Sequence, residues 1–332
     1  ECGICVATCP AHMDIPGYIR AIRENRIGEG LKLMYETNPF PASCGRVCTH
    51  LCEEVCVVGR TGDPVAIRWL KRFIADAAVG DDFAALRAGM EAESGKKVAI
   101  LGAGPGGLAA AYYLRMLGHS VTVFEKKAKA GGMLRYGIPE YRLPYDKLDE
   151  DVGLIESLGV EIRYNSPVGK KGDPQCAVTF DQLHAEYDAL FFSTGLEEPY
   201  GIGIEGEEHP RVLAGLKVLQ DVTEGRDPDL GKTVAVIGGG NVAMDAARTA
   251  RRLGCEVTVL YRRRIEDMPA DDEEITEAQE EGVRFVTQAI PIKITGAADS
   301  AAAPADELPP TPTSPGGQTY GLLFHWGEAE MV

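Results

Sequence analysis

The chain is short of positive charge. Its 34 Lys and Arg stand against 50 Asp and Glu, a formal net charge of −16 over 332 residues. Nucleic acid and anionic membrane surfaces both call for a basic face, so neither is expected as a partner. Long apolar runs are also missing. None approaches the roughly 20 residues that cross a bilayer, and the N-terminus has neither a basic segment nor an apolar core that would read as a signal peptide. His12, His50, His119, His184, His209 and His325 form no cluster, and no side chain stands out as a general acid or base. Cysteine is scarce beyond residue 56, where only Cys176 and Cys255 occur. A flavin disulfide reductase needs a redox C-x-x-C beside its flavin, so that chemistry is disfavoured.

What cysteine there is lies at one end. Seven of the nine fall between Cys2 and Cys56. A clustered set in a large chain of 45% hydrophobic and 25% charged residues favours metal over a disulfide framework. It also implies a reducing compartment, read as the cytoplasm. Cys2, Cys5, Cys9 and Pro10 match the last part of the iron–sulfur run C-x2-C-x2-C-x3-C-P, whose last cysteine serves another cluster. The first cysteine of that run would precede Cys2 by three positions, so the sequence is expected to begin inside the run. Cys44, Cys48, Cys52 and Cys56 recur every four residues. That spacing alone also describes one buried helix face, and four thiolates also suit zinc.

The first 90 residues read as helical. PGYIRAIRENRIGEGLKLMYETNPF predicts two short helices, broken at Gly28 and ended by Asn38-Pro39, and VAIRWLKRFIADAA predicts another, amphipathic one. EAESGKK reads as a linker. An internal repeat follows. Residues 98–127, VAILGAGPGGLAAAYYLRMLGHSVTVFEKK, match residues 234–263, VAVIGGGNVAMDAARTARRLGCEVTVLYRR, at a constant offset of 136. Each copy has an aliphatic strand, a Gly-rich turn, an Ala-rich helix ended by glycine (Gly118, Gly254) and a β-branched strand, which is a βαβ unit. Residues 296–318 are rich in Pro, Ala and Ser and predict a flexible excursion. GLLFHWGEAEMV then resembles a returning strand.

The first copy carries Gly102, Gly104, Pro105 and Gly107 in a G-x-G-x-x-G turn between strand and helix. Gly102 permits the tight turn, Gly104 a close approach to a pyrophosphate, and Gly107 close packing of helix on strand. Glu125, 23 residues after Gly102, is placed to accept hydrogen bonds from ribose hydroxyls. The Gly131-Gly132 pair either brings bare backbone to the mouth of this site or forms an ordinary turn. YDALFFSTG reads as a strand ending in Thr194-Gly195, which permits close approach of a ligand or a domain crossover. The second copy has Gly238, Gly240 and Ala243, the G-x-G-x-x-A variant. Tyr261 stands where the first copy has Glu125, and Arg262, Arg263 and Arg264 follow. Without a carboxylate, and with guanidinium groups to grip a 2′-phosphate, this copy favours NADP over NAD. The two sites are thus expected to bind different dinucleotides.

Taken together, CPAHMDIPGYI, NPFPASCGRVC, VAIRWLKRFIAD, ILGAGPGGLAAAYYL, GGMLRYGIPEYRLP, STG, IGGGNVAMDAARTARRLG, YRRR and MPA resemble one family. It comprises the glutamate synthase small (beta) subunit, the N-terminal part of dihydropyrimidine dehydrogenase and the large subunit of NADH-dependent ferredoxin:NADP oxidoreductase. The resemblance implies an α/β chain with an N-terminal α-helical [4Fe–4S] domain (1–92), an FAD domain (93–198) and an NAD(P)H domain (199–332). The C-terminal part of the FAD domain, with its Gly-Asp motif, is expected to be missing. The family pattern places FAD on Gly102, Gly104, Pro105, Gly107 and Glu125, with Gly132, Met133, Leu134 and Ile138 along the flavin and Arg142 nearby. It makes Thr194-Gly195 the crossover, and lines the NADP(H) site with Gly238, Gly240, Asn241, Ala243, Asp245, Arg262 and Arg263. It assigns Cys2, Cys5 and Cys56 to one cluster and Cys9, Cys48 and Cys52 to the other. Some relatives complete the second with Gln or Glu from the helix matching IRWLKRFIAD; here that stretch offers Lys71 and Arg72, so Cys44 becomes the candidate. The implied activity is electron transfer from NADPH through FAD and the clusters to a large subunit or a ferredoxin, within a hetero-oligomer. A zinc-stabilised binding module is the rival reading.

Overall fold

Buried aliphatic runs set the two sheets. In the computed structural model, which describes residues 3–295 and 322–325, the first repeat gives β1 (Lys97–Leu101) and β2 (Ser120–Phe124), each buried at its last four positions. With β3 (Glu161–Arg163) and β4 (Ala189–Phe192) they form a parallel sheet in the order β3-β2-β1-β4. The second sheet runs in the order β8-β7-β6-β9-β5, from β5 (Val212–Ala214), β6 (Thr233–Ile237), β7 (Glu256–Tyr261), β8 (Arg284–Thr287) and β9 (Leu322–His325). β6 and β7 are the repeat's second copy and pair in parallel, whereas β9 is antiparallel to both neighbours. The returning strand expected near the end of the chain is therefore present at Leu322–His325. The excursion expected at 296–318 lies outside the described residues.

Ahead of the first sheet come α1 (Ile4–Thr8), α2 (Ile15–Arg23), α3 (Ile27–Tyr35), α4 (Pro41–Val47), α5 (Leu51–Glu54) and α6 (Ile67–Ala77). One expectation fails here. The break between α2 and α3 is at Glu24–Arg26, where Asn25 takes φ +55°, and Gly28 sits in the first turn of α3. There its Cα faces the Asp82 side chain, whose Oδ1 would lie 2.6 Å from a Cβ. The linker EAESGKK has no regular structure before Lys97, yet it is pinned. Glu91 N–H donates to Met116 O (2.8 Å) and Ser94 N–H to Gly118 O (2.9 Å). Gly118, at φ +77°, admits this approach because a Cβ would meet Ala92 O at 2.1 Å.

The chain divides into two compact units, Glu1–Arg135 with Glu140–Leu196, and Tyr136–Pro139 with Glu197–Val332. In the first, the helical segment and the β1–β4 sheet share one core, in which Met13, Tyr18, Met34 and Ile74 join Ile100, Leu108, Leu148 and Ile155. Tyr35 and Tyr112 meet across it with ring centroids 5.8 Å apart. In the second unit the core lies between β6–β7 and the helices Asn241–Arg252 and Asp272–Glu280, around Val236, Met244, Val259 and Ile275.

Candidate functional site

Three glycines build the first turn, for different reasons. Gly102 has φ +103°, and a Cβ there would lie 2.3 Å from Ser193 O at the end of β4. Gly107 lies in the first turn of the helix Pro105–Met116, where a Cβ would come within 1.9 Å of Gly102 O. These two are required by the protein itself. Gly104, the N-cap, is different: the nearest atom to a Cβ is Gly132 Cα at 3.8 Å. The space beside its backbone is free of protein, at the end of a 12-residue helix that carries partial positive charge and begins with Pro105. Glu125 is buried at the end of β2, where Oε2 accepts the Ala103 N–H and Oε1 the Lys127 N–H, each at 2.8 Å. Each oxygen keeps a further acceptor position. The carboxylate is thus fixed to the glycine turn and still able to take a ribose hydroxyl.

Gly131-Gly132 belongs to this same corner. Gly131 N–H donates to Ala103 O at 2.8 Å, and a Cβ on Gly132 (φ +51°) would lie 2.7 Å from Gly104 Cα. Met133 and Leu134 open the short helix Met133–Tyr136 and, like Ile138 and Arg142, are partly buried. Thr194 and Gly195 follow β4 and are exposed, Gly195 with φ +75°. Two residues beside the cradle escape the sequence reading. Ser193 Oγ would lie 2.8 Å from a Cβ on Gly106. Arg135 is buried, donates from Nε to Ala130 O (2.7 Å), pairs with Asp149 and lies over the Tyr145 ring. Both lie inside quoted motifs, STG and GGMLRYGIPEYRLP, but are not singled out there.

The second turn repeats the design with one substitution that changes its chemistry. Gly238 takes φ +138°, and Gly240 caps the helix Asn241–Arg252, on which Ala243 and Asp245 are buried. Asn241 Oδ1 accepts the Asp271 N–H at 2.9 Å, holding that loop to the helix start. Tyr261 does not take over the part of Glu125. Its ring packs on Gly239, where a Cβ would be 2.6 Å away, and its hydroxyl donates to Asp267 O at 2.8 Å. The three arginines that follow differ. Arg264 binds Asp267 with two hydrogen bonds, at 3.0 and 2.9 Å. Arg262 and Arg263 are exposed, with no side-chain ion pair among the described residues.

The N-terminal thiols collect on two cavities. Cys9, Cys48 and Cys52 line one, with Tyr18, His50 and Lys71. Cys5 and Cys56 line the other, with Arg20, Arg23 and Val65. Cys48 ends α4 in an extended conformation and Cys56 is likewise extended beyond α5, so the four-residue spacing does not describe a single helix face. Cys44 lines neither cavity; its Sγ lies 3.9 Å from Asn38 Oδ1. Cys2 lies outside the described residues. Among those described, no three His, Cys, Asp or Glu side chains stand in metal-binding geometry. Burial raises the Cys52 thiol to about 11, reinforced by Cys48, Glu53 and Cys9 and opposed by Lys71. Burial likewise raises Cys44. Cys56 is held below its ordinary value by backbone hydrogen bonds, foremost from Val65. Thiols supply two or three donors on each cavity, which fits iron–sulfur ligation.

The pyridine nucleotide-disulphide oxidoreductase family matches residues 96–307, which include both glycine turns. The chain belongs to that family. Residues 1–82 match a second family, dihydropyrimidine dehydrogenase domain II with its 4Fe-4S cluster. That match overturns the zinc reading and pairs the oxidoreductase fold, with its FAD and NADP(H), with iron–sulfur. The NADP(+)-dependent formate dehydrogenase subunit beta of Moorella thermoacetica is 46% identical, over 85% of this chain and 42% of its own length. The glutamate synthase [NADPH] small chain of Escherichia coli strain K12 is 36% identical, over 89% of this chain and 64% of its own. The chain thus spans under half of the first and under two thirds of the second. Mycobacterium tuberculosis FprA in complex with NADPH shares the fold, with a TM-score of 0.52 at 20% identity over 60% of this chain and 61% of that one.

The disulphide in the family's name does not extend to this member's own cysteines. Cys176 and Cys255 each stand alone, their thiols donating to Val178 O (3.0 Å) and Gly231 O (3.2 Å). Cys255 is buried and Cys176 partly so. Among the described residues no helix is long and apolar enough to cross a membrane.

Proposed function

We propose that this chain is an electron-transfer module that takes a hydride from NADPH and delivers single electrons through iron–sulfur clusters to a partner subunit. Bound FAD supplies the conversion between the two-electron donor and one-electron acceptors. The chain's own residues bind and orient. Gly104 and Gly132 present bare backbone to the FAD pyrophosphate, Glu125 holds the ribose, and Met133, Leu134, Ile138 and Arg142 border the flavin. Gly238, Gly240, Asn241, Ala243 and Asp245 form the pyridine nucleotide cradle, and Arg262 and Arg263 take the 2′-phosphate. Cys9, Cys48 and Cys52 hold one cluster; Cys5 and Cys56, with Cys2, hold the other. In this reading residues 1–92 carry the clusters, 93–198 the flavin and 199–332 the nucleotide.

The observation that carries the proposal is the sorting of the thiols. Cys9, Cys48 and Cys52 share one cavity and Cys5 and Cys56 another, in the same compact unit as the Gly102–Gly107 turn. A shared core fixes the distance between cradle and thiols, which electron transfer requires. The relatives are named as subunits, beta in one case and small in the other. The acceptor is accordingly a larger subunit, or a ferredoxin, in a hetero-oligomer. The clustering of the cysteines is read as the mark of a reducing compartment such as the cytoplasm.

Anaerobic purification of the intact protein tests this directly. The preparation should contain iron, sulfide and flavin, and NADPH should bleach its visible absorbance. Cys48→Ser should lower iron content while leaving flavin in place. A colourless, iron-free protein would end the proposal.

A further inference from the structure

Lys71 is the one buried cation of α6. It lies on the buried stripe Ile67, Lys71, Ile74, with 6% of its surface exposed, and lines the cavity shared by Cys9, Cys48 and Cys52. Its helix neighbours have partners of their own, although Arg68 lines the same cavity. Arg72 pairs with Asp76, and the Arg68 guanidinium reaches Cys48 O and lies over Trp69. Lys71 makes no hydrogen bond or ion pair with any described residue, although Cys44 and Cys52 both feel its charge.

A cation on the wall of a half-enclosed cavity is favoured by an anion placed in that cavity, the more so the less water separates them. The remaining groups there do not supply one: His50 and Tyr18 are the other polar side chains beside the thiols, apart from Thr49 and Arg68. The thiolates of a bound cluster do. A cluster held by sulfur is net negative, and each electron it accepts adds a further negative charge with no proton taken up. A fixed positive charge on the cavity wall therefore stabilises the reduced form more than the oxidised form.

We infer that Lys71 is the built-in counter-charge of the cluster held by Cys9, Cys48 and Cys52, raising that cluster's reduction potential so that electrons arriving from the flavin come to rest there. Lys71 acts through space and is not a ligand. This rests on the proposed assignment of those three cysteines, and the experiment separates the two.

The test is an EPR-monitored redox titration of the anaerobic holoprotein, with iron content measured in parallel. Cys48→Ser identifies the signal that belongs to this cluster. Lys71→Leu, which keeps the apolar stem and removes the charge, should retain iron. It should lower the reduced-to-oxidised ratio of that signal at least tenfold at a fixed potential, a shift of about 59 mV for one electron. The other signal should stay within threefold of its own ratio. Lys71→Arg, which restores the charge, should return the ratio to within threefold of the parent. Loss of iron in the Leu variant alone, with the Arg variant intact, would likewise report the need for a cation. Loss of iron in both would make Lys71 a ligand or a packing element and overturn the inference. So would an unchanged potential in an iron-replete Leu variant. Absence of any cluster signal from the parent protein would instead sink the cysteine assignment, and the inference with it.

Discussion

The Asp151 carboxylate is the N-terminal anchor of α4: it accepts the Ser43 hydroxyl at 2.7 Å, the Ser43 amide at 2.9 Å and the Ala42 amide at 3.3 Å. The acid lies on the helix Tyr145–Ser157, and the donors lie 108–109 residues away in the cysteine-bearing segment. One side chain thus ties the helical segment to the α/β part of the first unit. Asp151→Ala would leave two buried amides without an acceptor and should cost about 2–3 kcal/mol, read as a lower urea midpoint for the first unit.

The same acid makes stability depend on pH. Burial raises Asp151 from its ordinary 3.8 to about 7, against the pull of its three hydrogen bonds. Between those values the folded chain binds a proton that the unfolded chain releases. This contribution is therefore present at pH 4 and is lost as pH rises towards 7. Urea midpoints compared at pH 5 and pH 8 should show a fall in the parent that is smaller in Asp151→Asn. Parallel lines for the two proteins would exclude Asp151 as the source.

The two cradle glycines should separate in their behaviour. Gly107→Ala forces a Cβ to within 1.9 Å of Gly102 O, a backbone atom that cannot move without opening the helix–strand contact. It should unfold or severely destabilise the first unit. Gly104→Ala meets no protein atom closer than 3.8 Å, and its φ of −80° suits alanine. That variant should fold with a loss of about 1 kcal/mol or less at the N-cap, yet lose FAD. Flavin content against thermal midpoint distinguishes the pair; full flavin occupancy in Gly104→Ala would count against the pyrophosphate assignment.

The repeat is legible in sequence because each of its parts answers a local requirement. Buried strands demand continuous aliphatics, the turn demands glycine, and the chain reversal after each helix demands a left-handed residue at Gly118 and Gly254. Ser193 is not legible because the Gly106 it meets lies far back in the chain, and Arg135 because its partners Ala130, Asp149 and Tyr145, though near in sequence, meet it only once the fold exists. Asn25 is an intermediate case. A left-handed asparagine ends α2, but Gly28 three residues later is the louder signal and points to the wrong place. Lys71 could be read: Ile67, Lys71 and Ile74 fall on one helix face, and a lysine on an apolar stripe is the departure to notice.

In the second unit, Arg248 holds two helices together. It is buried at the centre of the helix Asn241–Arg252 and reaches Glu274 (2.7 Å), Glu277 (2.6 Å) and Glu281 (2.8 Å) on and just beyond the helix Asp272–Glu280. Arg248→Met keeps the stem but leaves three carboxylates together, one of them buried, and should cost about 3–5 kcal/mol. The same substitution combined with Glu274→Gln should cost less than the sum of the two single changes, because the repulsion it exposes is then relieved. Additive losses would mean that the network contributes nothing as a unit.

The three arginines after Tyr261 give the most specific expectation for nucleotide choice. Arg264 is held by Asp267, whereas Arg262 and Arg263 have exposed guanidinium groups at the end of the strand that follows the glycine turn. A charge-assisted hydrogen bond is worth about 1.5–3 kcal/mol, so Arg262→Ala or Arg263→Ala should raise KM for NADPH about 10- to 100-fold. KM for NADH, which has no 2′-phosphate, should stay within about twofold, and kcat should change little. Arg264→Ala should disturb the Asp267 loop while leaving the NADPH-to-NADH preference near that of the parent. If neither Arg262→Ala nor Arg263→Ala alters the preference, the 2′-phosphate is not read at this strand end.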